Sequence, residues 1–374
     1  MNYNKTFFNL YYRWWKNIDK FIFSLIVLLF STGLFFSLVS TSLLVSDKME
    51  TNDYAFFFKH LSFVFLGIII IFVLSSINEE KLFKISPAFF LISLITLFLV
   101  PIVGIEVNSA QRWIDLYFLP RFQPIELVKP FLIVLISLIL SDEKYRNIYL
   151  KYLISFLTTL IVILLLAAQP DIGQTLLVFF SWSVLIFISG INTIFLIFLC
   201  LTLSIALYSS INFVPKFAYI KNRILSFFNT ETGTHNAQSE KAIDSITSGG
   251  FFGKGIGEGT LKNKVPEAHT DYIISVISEE FGVIAIILIL LMFLIFIYSV
   301  FKKVYFENDE RTKLVLVGCI SLILFQAMIH IGVNIRLVPT TGMTLPFISY
   351  GGSSIVSVSI LSGIILNLTK RKIN

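Results

Sequence analysis

The chain is 374 residues long, 56% hydrophobic and 14% charged, with a mean hydropathy of +0.84. That much apolar surface excludes a soluble domain. Apolar runs of about 18 or more residues recur along it in place of short alternating segments, which excludes a β-barrel. The net charge of +6 is read as orientation information and lipid contact, with no nucleic-acid partner expected.

The expectation is an all-α polytopic membrane protein, a single integral domain over 1–374. Residues 1–20 carry Lys5, Arg13, Lys16 and Lys20 beside Trp14 and Trp15, a basic flank with an aromatic belt. The first apolar run ends at Ser46 without a small-residue cleavage site, so it reads as a retained helix and not a signal peptide. Hydropathy places ten membrane helices, at about 21–46, 60–77, 86–103, 123–140, 152–168, 173–190, 191–213, 272–300, 314–335 and 347–368. A loop at about 104–121 contains Asn108-Ser109-Ala110-Gln111-Arg112-Trp113. The fourth helix opens on Pro124, Glu126, Lys129 and Pro130, which suggests a broken or re-entrant start. A long loop at about 214–270 separates the seventh and eighth helices. Cys200 and Cys319 lie inside apolar runs and suggest neither a disulfide nor a metal site.

Positive charge sets the orientation. With the N-terminus in the cytoplasm, the cytoplasmic segments hold 16 Lys or Arg and the short outside loops hold 5, among them Lys48, Lys59 and Arg121. Both termini are then cytoplasmic. Arg112, Asp171, Asp271 and Pro346 all fall at the outer side, and so does the long loop.

The most unusual stretch is Ser248 to Gly282. Six glycines fall between Gly249 and Gly259, with Lys254, Lys262 and Lys264, followed by Pro266-Glu267-Ala268-His269-Thr270-Asp271 at the mouth of a membrane helix. Ionisable groups there are either a functional site or a solvated loop with a helix cap. Glu126 and Lys129 are three apart and share a helix face, as a buried structural pair or as the lining of a polar cavity. Arg112-Trp113 is an interfacial anchor or a phosphate-binding fork. Asp171 after Pro170 reads as a helix N-cap. At least one of Glu279 and Glu280 must face the interior or a partner group. His269 has no second His or Cys at zinc-ligand spacing. The segment Pro339–Ser354 holds two prolines, three glycines and six Ser or Thr, a composition suited to non-helical backbone lining a cavity at membrane depth. Asn334 and Arg336 lie just before it.

Six stretches occur in one order: NSAQRWI at 108–114, QPIELVKP at 123–130, QPDIGQT at 169–175, SGGFFGKGIGEGT at 248–260, PEAHTDY at 266–272 and LPFISYGGSS at 345–354. Together they resemble the SEDS family (shape, elongation, division and sporulation), which includes the FtsW and RodA peptidoglycan polymerases. The run GVNIRLVPTTGMTLPF is closer to the division type than to the RodA-type elongation members. Ile125 and Thr341 depart from the family pattern, which usually has Ser at the first and in many division members Lys at the second.

The resemblance implies polymerisation of lipid II, the undecaprenyl-pyrophosphate disaccharide pentapeptide, at the outer face of the bacterial inner membrane and at the division septum. It implies Asp271 as the catalytic base of an inverting glycosyl transfer. Arg112, Lys129 and Arg336 are candidates for the pyrophosphate. Trp113, Glu126, Glu267, His269, Thr270, Ser349, Gly351 and Gly352 are further candidates for substrate contact. A divalent cation, magnesium or manganese, is a possible cofactor. The expected partners are a class B penicillin-binding protein transpeptidase, other division proteins and membrane lipids. A lipid II flippase or transporter is the competing class, and a non-catalytic scaffold a third.

Overall fold

The computed structural model describes residues 11–41, 54–107, 110–115, 120–145, 147–213, 218–228, 234–261, 265 and 267–370. Lys5, Ser46, Lys48, Asn108, Ser109, Lys262, Lys264 and Pro266, all singled out above, lie outside the described residues.

Twelve labelled helices carry the described fold. They are α1 (Lys20–Thr41), α2 (Ala55–Ser76), α3 (Glu79–Val103), α4 (Pro124–Ser141), α5 (Ile148–Ala168), α6 (Ile172–Ile188), α7 (Thr193–Phe213), α8 (Ala218–Phe228), α9 (Thr234–Gly249), α10 (Ile273–Phe306), α11 (Glu310–Asn334) and α12 (Gly352–Leu368). Several start where a short polar side chain can accept a first-turn N–H. Asn78, Asn147, Asp171 and Asp309 cap α3, α5, α6 and α11 in this way. By length and composition seven of the described helices can cross a membrane, and α6, α12 and residues 193–205 of α7 are shorter apolar helices.

Burial sorts the helices. The apolar stretches of α4 and α11 are 72% buried, against 22% for α2 and 28% for α3. The core is therefore built on α4, α11 and α12, and the other membrane-length helices present apolar side chains outward, as lipid contact requires. Close approach depends on small residues, because apolar burial gives no advantage over lipid. A Cβ at Gly67 would meet Ser359 Oγ at 2.3 Å, and one at Gly363 would meet Leu74 Cβ at 2.8 Å, so α2 and α12 pack nearly backbone to backbone.

One end of the bundle is stitched by polar contacts. Lys303 Nζ lies 2.6 Å from Asp19 Oδ2, and Thr312 Oγ1 donates to Glu79 Oε1 at 2.9 Å. Asn367 and Lys370 donate to the Ile77 carbonyl. At the other end the starts of α4, α6, α10 and α12 meet the close of α11.

The structure changes several expectations. The long loop is not simply a loop: it contains α8 and α9. The segment at 104–121 holds a hairpin of Ile105–Val107 (β1) and Ala110–Trp113 (β2), an exception to an all-α fold. The fourth helix is not broken: it runs continuously from Pro124 to Ser141, with Pro124 in its first turn, where its missing N–H is unneeded, and Pro130 accommodated inside it. The last helix begins at Gly352 and not near 347, since Phe347 has φ 66°, outside helical geometry.

The real break is in α10. At Gly282 φ is 76° and ψ is −177°, so the helix stops and restarts. The glycine-rich loop supplies the hydrogen bonds the break would leave unmade. Lys254 N and Gly255 N donate to the carbonyls of Glu279 and Glu280, and Val283 N and Ile284 N donate to those of Gly250 and Phe251. Irregular backbone at membrane depth needs such internal satisfaction.

Candidate active site

The convergent helix ends enclose a cavity of about 420 Å³. β2 contributes Arg112 and Trp113. The start of α4 contributes Gln123 and Glu126, α6 Gln174, and α8 Arg223. The turn before α10 contributes Glu267, Thr270 and Asp271. The segment after α11 contributes Thr340 to Thr344, Tyr350 and Gly351. The volume suits a small-molecule head group with few fixed polar contacts.

Asp271 lies in the turn that opens α10. Its N–H is held by the Glu267 carbonyl at 3.1 Å, and its own carbonyl accepts from Asn334 Nδ2 at 3.0 Å. Its carboxylate does not cap α10: the N-cap position is Tyr272, with no side-chain cap bond. The carboxyl is pushed up to about 7, chiefly by burial and then by the like charge of Glu267, against the pull of Arg223 and Arg112. A carboxyl poised there is half ionised near neutral pH, which suits a general base.

Three arginines line the cavity: Arg112, Arg223 and Arg121, the last paired with Asp115 Oδ2 at 3.0 Å. Arg112 Nη2 donates to the Pro170 carbonyl at 2.6 Å, and its Nε lies 3.6 Å from Asp171 Oδ2. Asp171 caps α6 by accepting from Gln174 N at 3.3 Å, as its position after Pro170 suggests, and it also accepts from Gln123 Nε2 at 3.2 Å. The cap residue thus also orients an arginine. Arg223 Nη1 donates to the Thr340 carbonyl at 2.8 Å, tying α8 to the segment beside Asp271.

Below them is a buried polar network. Lys129 Nζ donates to Glu126 Oε1 at 2.9 Å and to Gln326 Oε1 at 3.2 Å, and Gln174 Nε2 donates to Glu126 Oε1 at 2.9 Å. An ammonium only donates and a carboxylate only accepts, so both glutamine amides have a fixed orientation. Gln326 therefore turns its amide toward Thr344 and Ser354. Glu126 Oε2 and Gln174 Oε1, both buried, have no hydrogen-bond partner within the described residues.

Arg112, Trp113, Glu126, Glu267, Thr270, Asp271 and Gly351 all line the cavity. Lys129 does not: it is 1% exposed and sits one layer deeper, acting through Glu126 and Gln326. Arg336 is also absent from the lining, with Nη1 3.4 Å from Glu240 Oε1 on α9. His269 packs its ring 5.1 Å from Phe56, and burial lowers its pKa. Ser349 is a bracket, donating to the Thr270 carbonyl at 2.7 Å and accepting from Leu345 N. Gly352 faces the Phe63 ring, where a Cβ would come within 2.4 Å, so its role is helix packing.

Glu279 does face the interior and a partner. It is fully buried, and its carboxylate accepts from Lys254 Nζ, Thr260 N, Leu261 N and Ser245 Oγ. Arg223 and Gln326 were not singled out from sequence, and Gln174 entered only as part of the QPDIGQT stretch. The available signal for Gln326 was an amide inside an otherwise apolar run. Arg223 gave none, because its neighbours come from distant segments.

Residues 19–374 match the FtsW/RodA/SpoVE family, described as cell cycle protein. The chain is 29% identical over 364 residues to the probable peptidoglycan glycosyltransferase FtsW of Caulobacter vibrioides, covering 96% of this chain and 91% of that one. It is 31% identical over 363 residues to the protein of the same description from Trichlorobacter lovleyi, covering 94% and 93%. Among solved structures it is similar to a chain of a peptidoglycan synthase complex that coordinates polymerization and crosslinking, with a TM-score of 0.78, 25% identity and coverage of 94% and 97%. It is also similar to the Thermus thermophilus rod shape determining protein RodA, with a TM-score of 0.69, 25% identity and coverage of 94% and 96%. A family match over nearly the whole chain and a shared helical architecture lead to one conclusion: the chain is a multi-pass membrane protein of the FtsW/RodA/SpoVE family, the SEDS family.

Proposed function

We propose that this chain is a peptidoglycan glycosyltransferase of the division type, polymerising lipid II at the outer face of the bacterial inner membrane. The relatives' names support the class and the division subtype. The observation that carries the reading is Asp271, a carboxyl held near neutrality in a cavity bordered by Arg112 and Arg223.

The chemistry follows from that arrangement. An acceptor sugar hydroxyl attacks the anomeric carbon of the donor, and its proton passes to the Asp271 carboxylate. The bond from that carbon to the pyrophosphate breaks as the new glycosidic bond forms, and the pyrophosphate keeps the electron pair. Arg112 and Arg223 stand where cationic groups can take up that growing charge. Attack opposite the leaving group inverts an α-linked donor to a β-linked glycan, so one base suffices.

Among the described residues no three His, Cys, Asp or Glu side chains converge. Magnesium or manganese nevertheless needs only one or two protein carboxylates when substrate phosphates supply further oxygens. Glu267 lines the cavity beside Asp271 and would hold such an ion together with the substrate phosphates, leaving the Asp271 carboxylate to take the proton. Bound there it would neutralise the departing pyrophosphate.

The charge bias of the loops supports cytoplasmic termini and a cavity opening outward. A class B penicillin-binding protein is the expected transpeptidase partner, with other division proteins and the septum as the setting. The solved complex, in which polymerization and crosslinking are coordinated, supports that pairing.

Purified protein in liposomes with labelled lipid II tests the reading. Wild type makes glycan chains. Asp271→Asn inserts normally and makes them about 10²–10⁴-fold more slowly. Label translocation without chains would indicate a flippase, and neither product, with or without the partner, would indicate a scaffold.

A further inference from the structure

The loop from Gly249 to Leu261 carries three apolar side chains in the open. Phe251 is 74% exposed, Phe252 83% and Ile256 62%. Isolated exposed apolar residues are ordinary, but two adjacent phenylalanines on a braced loop are not. The bracing is extensive. Glu279 holds Lys254, Thr260 and Leu261, and the loop backbone completes the break in α10 on both sides of Gly282.

The packing fixes where those side chains project. A Cβ at Gly253 would lie 2.1 Å from the Glu280 carbonyl oxygen, and one at Gly282 would lie 2.2 Å from that of Phe251. No side chain fits between loop and helix, so the two backbones touch. Phe251 and Phe252 therefore stand outward at the level of residues 280–284. At that level begins the lipid-facing surface of α10, where Val283, Ile284, Ile287 and Leu288 are exposed on the most apolar of the described spans.

From this continuity we infer that Phe251, Phe252 and Ile256 insert into the bilayer leaflet at the cavity end of the bundle. The occupant of this patch is lipid, in the glycerol and upper acyl region, where aromatic side chains anchor. The insertion fixes the depth of the loop. Glu279 ties that loop to α10 two turns past Asp271, so the leaflet sets the height of the cavity.

Two measurements on the full chain test this. In the first, a nitroxide is attached at Phe252→Cys, at Ile256→Cys or at Asp244→Cys on the exposed face of α9, with Cys200→Ser and Cys319→Ala. The protein is reconstituted alone in vesicles of phosphatidylcholine and phosphatidylglycerol. Collision with oxygen relative to a nickel chelate should be several-fold higher at 252 and 256 than at 244. Equal ratios at the three positions would make the loop a solvated one and overturn the inference. Exclusion of both reagents at 252 and 256 would mean a protein contact and overturn it equally. In the second, Phe252→Trp is compared with its parent, which has four Trp. Lipids brominated near the glycerol should quench the added emission, and quenching only by aqueous iodide would contradict insertion.

Discussion

Gly342 presents bare backbone to the carboxylate of Asp271: a Cβ built at 342 would lie 3.3 Å from Asp271 Oδ2. Gly342 also has φ 68°, a conformation that costs a side chain of order 1–3 kcal/mol. Gly342→Ala should therefore crowd the carboxylate proposed as the base and strain the segment that faces it. The expected result is normal insertion, a slightly lowered melting temperature and a glycan synthesis rate well below wild type. A wild-type rate would show that the space before Asp271 is not used by substrate.

The carboxyl near 7 gives a pH dependence of defined sign. A base must be ionised, so kcat/KM should rise with pH through about 7 and fall about tenfold per unit on the acid side. Glu267→Gln removes a like charge and should move that limb to lower pH. Arg223→Ala removes an opposite charge and should move it to higher pH. Initial-rate profiles of the three proteins check both directions, and a limb that ignores both substitutions would assign the titration elsewhere.

The pair of Lys129 and Glu126 is buried at 1% and 4% side-chain exposure. Lys129→Met leaves the Glu126 charge without its ammonium, at a cost of about 3–5 kcal/mol. Lys129→Met with Glu126→Gln removes both charges and should recover most of that stability. Thermal unfolding in detergent measures the recovery. If activity returns with stability, the pair is purely structural; if only stability returns, Glu126 also serves the cavity it lines.

Arginines are separable by position. Arg112 lines the cavity, whereas Arg336 pairs with Glu240 away from it. Arg112→Ala should lower kcat about 10²–10³-fold, the scale of losing one donor to a developing anion. Arg336→Ala should lower it by far less. Equal losses would return Arg336 to the substrate.

Much of this was legible in the sequence because lipid imposes simple rules. Apolar runs gave the helices, and the bias of Lys and Arg brought Arg112, Asp171 and Asp271 to one end before any contact was known. What stayed hidden depended on contacts between distant segments. Arg223 belongs to α8, inside a stretch that reads as polar loop, and its place comes from the Thr340 carbonyl. The Gly282 break is invisible to hydropathy, since the apolar run continues straight through it. Lys129 and Arg336 are alike pyrophosphate candidates by resemblance, yet one lies beneath the cavity and the other pairs with Glu240 outside its lining.

The break at Gly282 divides α10 into a head, Ile273 to Glu280, buried at every position, and a shaft that faces lipid. Helix hydrogen bonds do not run uninterrupted between them. The glycine loop is bonded to the head through Glu279 and Glu280 and to the shaft through Val283 and Ile284, so the two halves are held to each other across the break. The break is thus a braced bend: the backbone turns between its lipid-facing span and the buried head next to Asp271 while the loop's hydrogen bonds hold that turn in one shape.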